Sequence, residues 1–374
     1  MPMLKTSGIL PVALLLCLNF ADAGAEPDAA AGIRLPPGFH IAVYSADTAN
    51  ARSLALGEDG TVYVGTMQAG KVYALRDQDG DGKAEQVRVV AAGLTMPNGV
   101  AVLDGDLYVA DLARLIRFKG LGKQWADPPQ PEAVYADFPK DVHHGWKQLR
   151  AGPDRKLYLG IGAPCNVCRS QDPSYATLVR FDPATRTRET YAHGVRNTVG
   201  FDWHPQTGVL WFADNGRDWL GDDLPPDELN RAPRPGLHFG YPYCHGKDIA
   251  DPEFGKGAAC GDYVAPAWTF GAHVAPLGLR FYTGSQFPEE FRGRLFVAQH
   301  GSWNRTTPTG YQVVAVSFEH GEPSAEMVFA DGWLKPNGEV RGRPVDILQM
   351  PDGALLVSDD KAGVVYRISY GASP

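Results

Sequence analysis

The 374-residue chain lacks sustained helical periodicity, has no cluster of basic residues and, after its first twenty residues, contains no long apolar run. Without a period near 3.6 residues, neither a helical bundle nor a βα alternation is expected. Acidic residues outnumber basic ones by 43 to 35, so a nucleic acid or an anionic membrane surface is not the expected partner. A neutral or weakly charged small molecule fits this balance better.

The N-terminal segment has the layout of a secretory signal. Lys5 precedes an apolar run from Ile9 to Phe20, and alanines follow at the spacing of a cleavage site. The run is too short to anchor the chain across a bilayer. We therefore predict a signal peptide over residues 1–25 and a short linker over 26–32. The mature chain is expected in the periplasm or outside the cell, without an integral membrane segment.

Cysteine is scarce, and four of the five cysteines follow the predicted cleavage site. An exported protein meets an oxidising compartment, in which cysteines usually pair with one another. We expect Cys165 to pair with Cys168, and Cys244 with Cys260, although spacing alone leaves the connectivity open. A zinc site at the Cys-Asn-Val-Cys segment is the weaker alternative.

One theme recurs along the chain: an apolar strand, an Asp-Gly or Pro-Asp turn, and a second apolar strand. Its six copies begin at Ser53, Gly99, Gln148, Gly200, Leu279 and Asp346. Most are followed by a third strand, with starts at Lys71, Arg114, Thr177, Tyr311 and Val364. Strand repeats with a period of about forty to sixty residues are typical of propeller blades. We therefore predict an all-β, six-bladed β-propeller that forms a single domain over residues 33–371.

Two long stretches rich in glycine and proline interrupt the repeats, at residues 120–139 and 231–266, and we expect both to be loops. In a propeller, long loops gather on one face around the central channel, where ligands bind. The functional site should therefore lie at that face.

His143 and His144 immediately precede the third predicted blade. A histidine at the mouth of a channel can act as a base, although an arbitrary histidine is more often structural. What distinguishes this pair is the segment that follows, which runs through Leu149 to a Gly-Pro-Asp turn at residues 152–154.

The passage from Gly194 to Asn230 is the richest in chemically active side chains. Arg196 and Asn197 precede a predicted strand, where a guanidinium can grip carboxylates or quinone oxygens with two hydrogen bonds. The turn at Gly216 and Arg217 offers backbone carbonyls, the hard oxygen ligands that calcium prefers. An acidic loop is expected to follow, with Asp222, Asp223, Asp227 and Glu228.

These passages resemble the dehydrogenases of sugars that depend on pyrroloquinoline quinone (PQQ), both the sorbosone dehydrogenase-like branch and the soluble glucose dehydrogenases. Three later motifs agree: AHVAPLGLRFY from Ala272, HGSWNR from His300 and RGRPVDILQMPDG from Arg341. The resemblance covers nearly the whole mature chain and implies PQQ and calcium as cofactors. It further implies oxidation of a sugar, a sorbosone-like sugar aldehyde or a polyol, with hydride transfer to the quinone. A separate electron acceptor, a cytochrome or a quinone, would then reoxidise the cofactor.

The resemblance also implies roles for individual residues. His144 becomes the general base that takes the proton of the substrate hydroxyl. Calcium is held with PQQ by the backbone carbonyls of Gly216 and Arg217. The expected cofactor contacts are Arg196, Asn197, His273, Arg305 and Arg343, and Trp303 is placed to cover the quinone.

The chain departs from the glucose-oxidising members of that family at several positions. Ala163 stands where they have an aspartate that pairs with the catalytic histidine, and His143 stands where they have an acidic residue. Pro97 occupies the place of a glutamine that contacts the substrate. In those enzymes a lysine contacts the cofactor, and its place falls near Gly301 of this chain. Arg305 is therefore expected to replace that lysine. The resemblance therefore leaves the substrate open.

Two other functions are compatible with a six-bladed propeller. Calcium-dependent lactonases surround the metal with carboxylate and amide side chains, whereas Arg196, Arg305 and Arg343 suit a cofactor with several carboxylates. A non-catalytic carbohydrate-binding propeller is the second alternative, and the departures at Ala163 and His143 are compatible with it.

A last motif, DQDGDGKAE, places Asp77, Asp79 and Asp81 in the alternation that begins a calcium-binding loop. The twelfth position of such a loop would be acidic, but Arg88 stands there. A structural calcium and a solvated turn are about equally expected, and Glu85 is available to complete a tighter site.

Overall fold

A computed structural model describes residues 29–123 and 127–371. It confirms the six-bladed β-propeller predicted from the repeats, because six sheets of four or five strands carry almost all of the strands. The predicted signal peptide, 1–25, and the first residues of the predicted linker lie outside the described residues. No helix in the described ranges is long and apolar enough to cross a membrane.

The first three blades follow the chain from the inner strand to the outer strand. Blade 1 contains β2 (Ala51–Leu56), β3 (Val62–Thr66), β4 (Val72–Arg76) and β5 (Gln86–Ala91). Blade 2 contains β6 (Gly99–Leu103), β7 (Asp106–Ala110), β8 (Leu115–Phe118) and β9 (Glu132–Tyr135). Blade 3 contains β10 (Leu149–Ala151), β11 (Leu157–Ile161), β12 (Thr177–Asp182) and β13 (Thr187–His193), with β17 (Leu237–His238) added in parallel.

The other three blades continue this order, and the last borrows a strand from the N-terminus. Blade 4 contains β14 (Gly200–Trp203), β15 (Leu210–Asp214), β16 (Pro226–Ala232) and β20 (Trp268–Ala272). Blade 5 contains β21 (Pro276–Phe281), β22 (Leu295–Gln299), β23 (Gln312–Glu319) and β24 (Glu322–Ala330). Blade 6 contains β25 (Pro344–Gln349), β26 (Leu355–Asp359), β27 (Val364–Tyr370) and β1 (Phe39–Ser45). A hairpin of β18 (Cys244–His245) and β19 (Ile249–Ala250) and two 3₁₀ helices, Cys260–Asp262 and Glu289–Phe291, complete the fold.

The outer strands are where the sequence-based expectation was wrong. The stretch 120–139, expected to be a loop, contains β9, and the stretch 231–266 contains the end of β16 and the strands β17 to β19. Outer strands have less of their surface buried, so the alternation that reveals a strand in a sequence is weak. The outer strand β24 shows this, since most of its first seven residues are exposed.

Pairing of the two chain ends closes the propeller. Strand β1 runs antiparallel to β27, from the pair of Phe39 with Tyr370 onward. The ring of Phe39 is buried and lies 4.8 Å from that of Phe287 and 4.9 Å from that of Phe329. The closing strand is therefore held by backbone hydrogen bonds and by an aromatic cluster with blade 5.

The innermost strands surround the central channel, and charged side chains fill part of it. Arg150 donates to the carbonyl of Phe201 at 2.9 Å. Its guanidinium lies 3.6 Å from Asp202 and 3.5 Å from Asp346, in blades 4 and 6. Buried charges persist when they are paired in this way. The channel thus contains paired charges contributed by several blades.

Candidate active site

A cavity of about 470 Å³ opens at one end of the channel. Part of its wall comes from residues at or just before the innermost strands, namely Arg52, His144, Arg196, Asn197, His273 and Arg343. Another part comes from residues just after the second strands, namely Asn215, Gly216, His300, Gly301 and Asp360. The first two strands of each blade are antiparallel, so the start of one and the end of the next meet at the same face.

His144 lies in the wall of this cavity and is only 8% exposed. Its backbone has a positive φ of 49°. A Cβ on Gly162 would lie 2.5 Å from the Cβ of His144, so only glycine allows this approach. The Nδ1 atom is 2.9 Å from the carbonyl oxygen of Ala163. Because a carbonyl only accepts, Nδ1 carries the proton and Nε2 keeps its lone pair.

The tautomer matters because Ala163 stands where the resembling glucose dehydrogenases have an aspartate. The carbonyl of Ala163 supplies the acceptor that the missing carboxylate would have provided. Burial, followed by the nearby charges of Arg196 and His143, holds the pKa of His144 well below 6.5. The imidazole is therefore neutral at pH 7, with a defined free nitrogen.

Arg196 is held by a dense set of hydrogen bonds. Its Nη1 donates to the carbonyl of Asn215 at 3.1 Å, and its Nη2 forms an ion pair with Asp218 at 2.9 Å. Its Nε and Nη2 also donate to Asn166, to the carbonyl oxygen at 2.8 Å and to Oδ1 at 2.9 Å. The guanidinium is thus fixed in the cavity wall.

Asp214, at the end of β15, was not singled out from the sequence. Its Oδ2 accepts the backbone N–H of Arg196 at 2.8 Å, and its Oδ1 accepts that of Asn197 at 2.6 Å. Burial raises its pKa to about 6. A signal was present, since three copies of the repeat have an aspartate at the end of the second strand or directly after it, namely Asp111, Asp214 and Asp359.

Asp227 and Glu228 were expected in an acidic loop, but both lie in β16 and are buried, because the strand begins at Pro226. Asp227 accepts the N–H of Gly216 at 2.7 Å and that of Ala275 at 2.8 Å. Burial raises the pKa of Asp227 to about 7. This side chain therefore ties the Gly216 turn to the loop that enters blade 5.

The neighbouring Arg217 does not line the cavity. Its guanidinium turns to Asp251, at 2.6 Å, and to Glu253, at 3.0 Å. Gly216 and Arg217 were both expected to offer backbone carbonyls to calcium. Of these two residues, only Gly216 lines the cavity.

Arg343 reaches the cavity from blade 6. Its Nε donates to the carbonyl of His300 at 3.0 Å and its Nη2 to that of Gly301 at 2.6 Å. Burial lowers its pKa, and no carboxylate in the described ranges forms an ion pair with it. Arg343 is therefore a half-buried cation whose guanidinium forms no ion pair among the described residues, although the charges of Asp360 and Asp359 act to raise its pKa.

A second histidine in the wall belongs to a network that was missed from the sequence. His300 Nε2 lies 2.9 Å from Asp360 Oδ1, and Arg52 Nη1 donates to Asp360 Oδ2 at 2.8 Å. Arg52 also donates to Asn98 at 2.9 Å. Burial lowers the pKa of His300 to about 4, so it is neutral at pH 7. His300 begins a motif noted in the sequence, but its partners come from distant parts of the chain, which is why no local motif revealed the network.

The structure brings His273 into the cavity wall but leaves Arg305 out of it. His273 Nε2 lies 2.9 Å from the carbonyl oxygen of Gly221. Arg305 donates to the backbone carbonyls of Asp222 and Ala272, and so supports a loop rather than the cavity.

Two tryptophans stand at the rim of the cavity. Trp303 is 65% exposed and lines the cavity. Its ring meets that of Trp219, which is 66% exposed, edge to face at 5.2 Å. An exposed aromatic pair thus borders the opening.

Both expected disulfides are present, Cys165 with Cys168 and Cys244 with Cys260. The cysteines are therefore not available for the alternative zinc site. The first disulfide closes a short loop next to the cavity wall, and the second joins the β18–β19 hairpin to the following 3₁₀ helix.

The acidic motif lies in the turn between β4 and β5. One carboxylate oxygen from each of Asp77, Asp79, Asp81 and Glu85 comes within 4.8 Å of the others. Glu85 thereby joins the three aspartates, and Arg88 lies on β5. This group does not line the cavity.

The cavity wall contains polar atoms that lack partners. Trp146 Nε1, Asn215 Oδ1 and Asn304 Oδ1 are buried without a hydrogen-bond partner among the described residues. Leaving such atoms unpaired costs about 1–3 kcal/mol each. One of these atoms is a donor and two are acceptors, so together with Arg343 they indicate a wall that contacts a polar ligand offering both acceptors and donors.

Residues 33–371 match the TrAA12-like family model. The chain belongs to this family. An uncharacterized protein of Borreliella burgdorferi is 31% identical over 352 residues, which cover 90% of this chain and 91% of that protein. A pyrroloquinoline quinone-dependent sugar dehydrogenase of Hypocrea jecorina is 24% identical over 379 residues, which cover 87% of this chain and 76% of that protein.

Solved structures of other TrAA12-like and PQQ-dependent proteins share the fold. The family AA12 enzyme of Trichoderma reesei superposes with a TM-score of 0.78 and 21% identity, covering 91% of this chain and 98% of that one. The PQQ domain of the Coprinopsis cinerea pyranose dehydrogenase in its holo form superposes with a TM-score of 0.74 and 19% sequence identity. The match covers 90% of this chain and 97% of that one.

Proposed function

We propose that this TrAA12-like protein is an exported, calcium- and PQQ-dependent dehydrogenase that oxidises a sugar, a sorbosone-like sugar aldehyde or a polyol. The observation that carries this function is the presence, in one cavity, of a neutral histidine with a free Nε2 and a half-buried arginine that forms no ion pair among the described residues. Membership of the TrAA12-like family and the PQQ-dependent relatives support the same function.

The residues of the cavity fit a cofactor that carries several carboxylates. Arg343 would hold one of them and so gain the counter-ion that the protein does not supply. Arg196, Asn197 and His273 would contact others, and the carbonyl of Gly216 would be a ligand for calcium. Arg305, which binds loop carbonyls outside the cavity, is not among the residues that would contact the cofactor.

The protein's own chemistry centres on His144. When bound, PQQ supplies a quinone that accepts hydride and calcium supplies Lewis acidity. His144 Nε2 accepts the proton of the substrate hydroxyl, while Nδ1–H donates to the carbonyl of Ala163 and holds the ring. Burial and the nearby charge of Arg196 disfavour the imidazolium, so the neutral form of the base is the one favoured between turnovers.

The rim suits a carbohydrate. Trp219 and Trp303 expose large apolar ring faces beside the polar wall of the cavity. A sugar can place its C–H faces on such rings while its hydroxyls reach polar groups. The rim thus supports a sugar or polyol over a purely apolar alcohol.

Reconstitution tests the proposal. The purified mature chain would be loaded with PQQ and calcium, and dye reduction would be followed across sugars, sugar aldehydes and polyols. We expect turnover that requires both cofactors. Failure to bind PQQ in the presence of calcium would contradict the proposal and would favour the lactonase-like alternative.

We also propose that the β4–β5 turn holds a structural calcium ion. In the absence of PQQ, millimolar calcium should raise the Tm of the wild type by a few degrees, because a ligand that binds only the folded state stabilises it. Asp79→Asn should remove this increase, since it takes one carboxylate from the group of four.

Asp137→Asn is the matched control, because Asp137 is exposed and lies outside the turn. Thermal unfolding with and without calcium separates the outcomes. Equal calcium-induced shifts in the wild type and Asp79→Asn would show that this turn binds no stabilising ion.

A further inference from the structure

The loop closed by the Cys165–Cys168 disulfide contacts Arg196 through Asn166. The carbonyl oxygen of Asn166 accepts from Nε of Arg196 at 2.8 Å, and its Oδ1 accepts from Nη2 at 2.9 Å. One residue therefore binds two nitrogens of the same guanidinium. Arg196 is only 4% exposed, so its orientation depends on these few partners.

Asn166 also holds the counter-ion of Arg196. Its Oδ1 accepts the backbone N–H of Asp218 at 2.8 Å, and its Nδ2 donates to the carbonyl of Asp218 at 3.1 Å. The carboxylate of Asp218 pairs with Arg196 at 2.9 Å and accepts from Asn304 at 2.8 Å. Asn166 thus links the loop of blade 3 to the loop that follows β15 in blade 4.

The loop that carries Asn166 is itself restrained. The disulfide closes a ring around Asn166 and Val167. The hydroxyl of Tyr241 accepts the N–H of Cys168 at 3.1 Å and lies 3.5 Å from the carbonyl oxygen of Asn166. A short closed loop has few conformations, so Asn166 is positioned before any ligand binds.

These contacts leave Arg196 little freedom toward a ligand. A guanidinium has five N–H donors, and four of those of Arg196 are directed to Asn166, Asn215 and Asp218. The remaining N–H, on Nη1, is the one available to a ligand. From the sequence, Arg196 was expected to bind a ligand with two hydrogen bonds. In the structure its guanidinium can offer the ligand one hydrogen bond, in a fixed direction.

We propose that Asn166, locked by the Cys165–Cys168 disulfide, is a positioning residue that presets Arg196 for the anionic cofactor. The identity of that ligand as PQQ rests on the proposed function. Asn166 acts through Arg196, so its contribution to cofactor affinity disappears when Arg196 is absent.

A double-mutant cycle tests this dependence. Titration calorimetry would measure the Kd for PQQ, in the presence of calcium, for the wild type, Asn166→Ala, Arg196→Met and the double variant. Asn166→Ala should raise the Kd about tenfold in the wild-type background and less than about twofold in the Arg196→Met background. If Asn166→Ala raised the Kd by the same factor with and without Arg196, the proposal would be overturned. An equal factor would mean that Asn166 has a general structural role that does not depend on Arg196.

The disulfide offers a second, matched comparison. Replacing Cys165 and Cys168 together with serine should raise the Kd for PQQ about as much as Asn166→Ala does. Replacing Cys244 and Cys260 together should leave the Kd within about twofold, although it removes the disulfide that closes the longer loop and so is expected to stabilise the fold more. Equal changes in the two disulfide variants would overturn the role of the first loop.

PQQ binding by the wild type separates the proposed function from the positioning role of Asn166. A wild type that binds no PQQ would overturn the proposed function and this inference together. A wild type that binds PQQ, with variants whose effects multiply in the cycle, would overturn only the positioning role of Asn166.

Discussion

Replacing His144 with alanine is expected to lower kcat by about a thousandfold, because a positioned general base contributes roughly 10²- to 10⁴-fold. The Kd for PQQ should change by less than about threefold, since Arg196 and Arg343, which we propose as cofactor contacts, remain in place. Steady-state dye reduction and calorimetric titration of PQQ measure the two quantities separately. His40→Ala is the control, because His40 is an exposed residue of β1.

The pH dependence of kcat follows from the same geometry. Burial, with Arg196 and His143, lowers the pKa of His144 well below 6.5, so the active neutral form is present at pH 7 and above. Protonation removes the base only as the pH falls through this lowered pKa. We therefore expect an acid limb below pH 6.5 and no loss of kcat from this group between pH 7 and 8. A limb centred at pH 7 or higher that disappears in His144→Ala would contradict the assignment.

Replacing Arg343 with methionine is expected to weaken PQQ binding about a hundredfold and to raise the Tm of the cofactor-free protein. Loss of one partner of a buried charge pair costs about 2–5 kcal/mol of binding free energy. Without the cofactor, the described residues give the half-buried Arg343 two carbonyl acceptors but no ion pair, so its desolvation is only partly compensated and methionine removes the remaining cost. Calorimetric titration and thermal unfolding of the same samples provide both values.

Arg305→Met is the matched control for this experiment. Its guanidinium binds the carbonyls of Asp222 and Ala272 and does not line the cavity, so the Kd for PQQ should stay within about twofold. A lower Tm for Arg343→Met, with an unchanged Kd, would show instead that Arg343 is a structural cation.

Local patterns in the sequence picked out several residues that the structure places in the cavity wall. His144, Arg196 and Asn197 directly precede inner strands, and each was recognisable from a short motif beside a repeat. Residues of the missed network are joined across long separations, as when Arg52 meets Asp360. A motif reports neighbours along the chain, whereas this network depends on which blades the closure of the propeller places side by side.

The sequence by itself determined the all-β character, the number of blades and the chemical types that face the cavity. Its inner strands are buried on both sides, so their apolar runs and turns stand out in every repeat. Only the tertiary structure decided which groups remain free to act. It directs His144 Nδ1 to the carbonyl of Ala163, leaves Arg343 without a counter-ion and turns Arg305 away, because these outcomes depend on distances between blades.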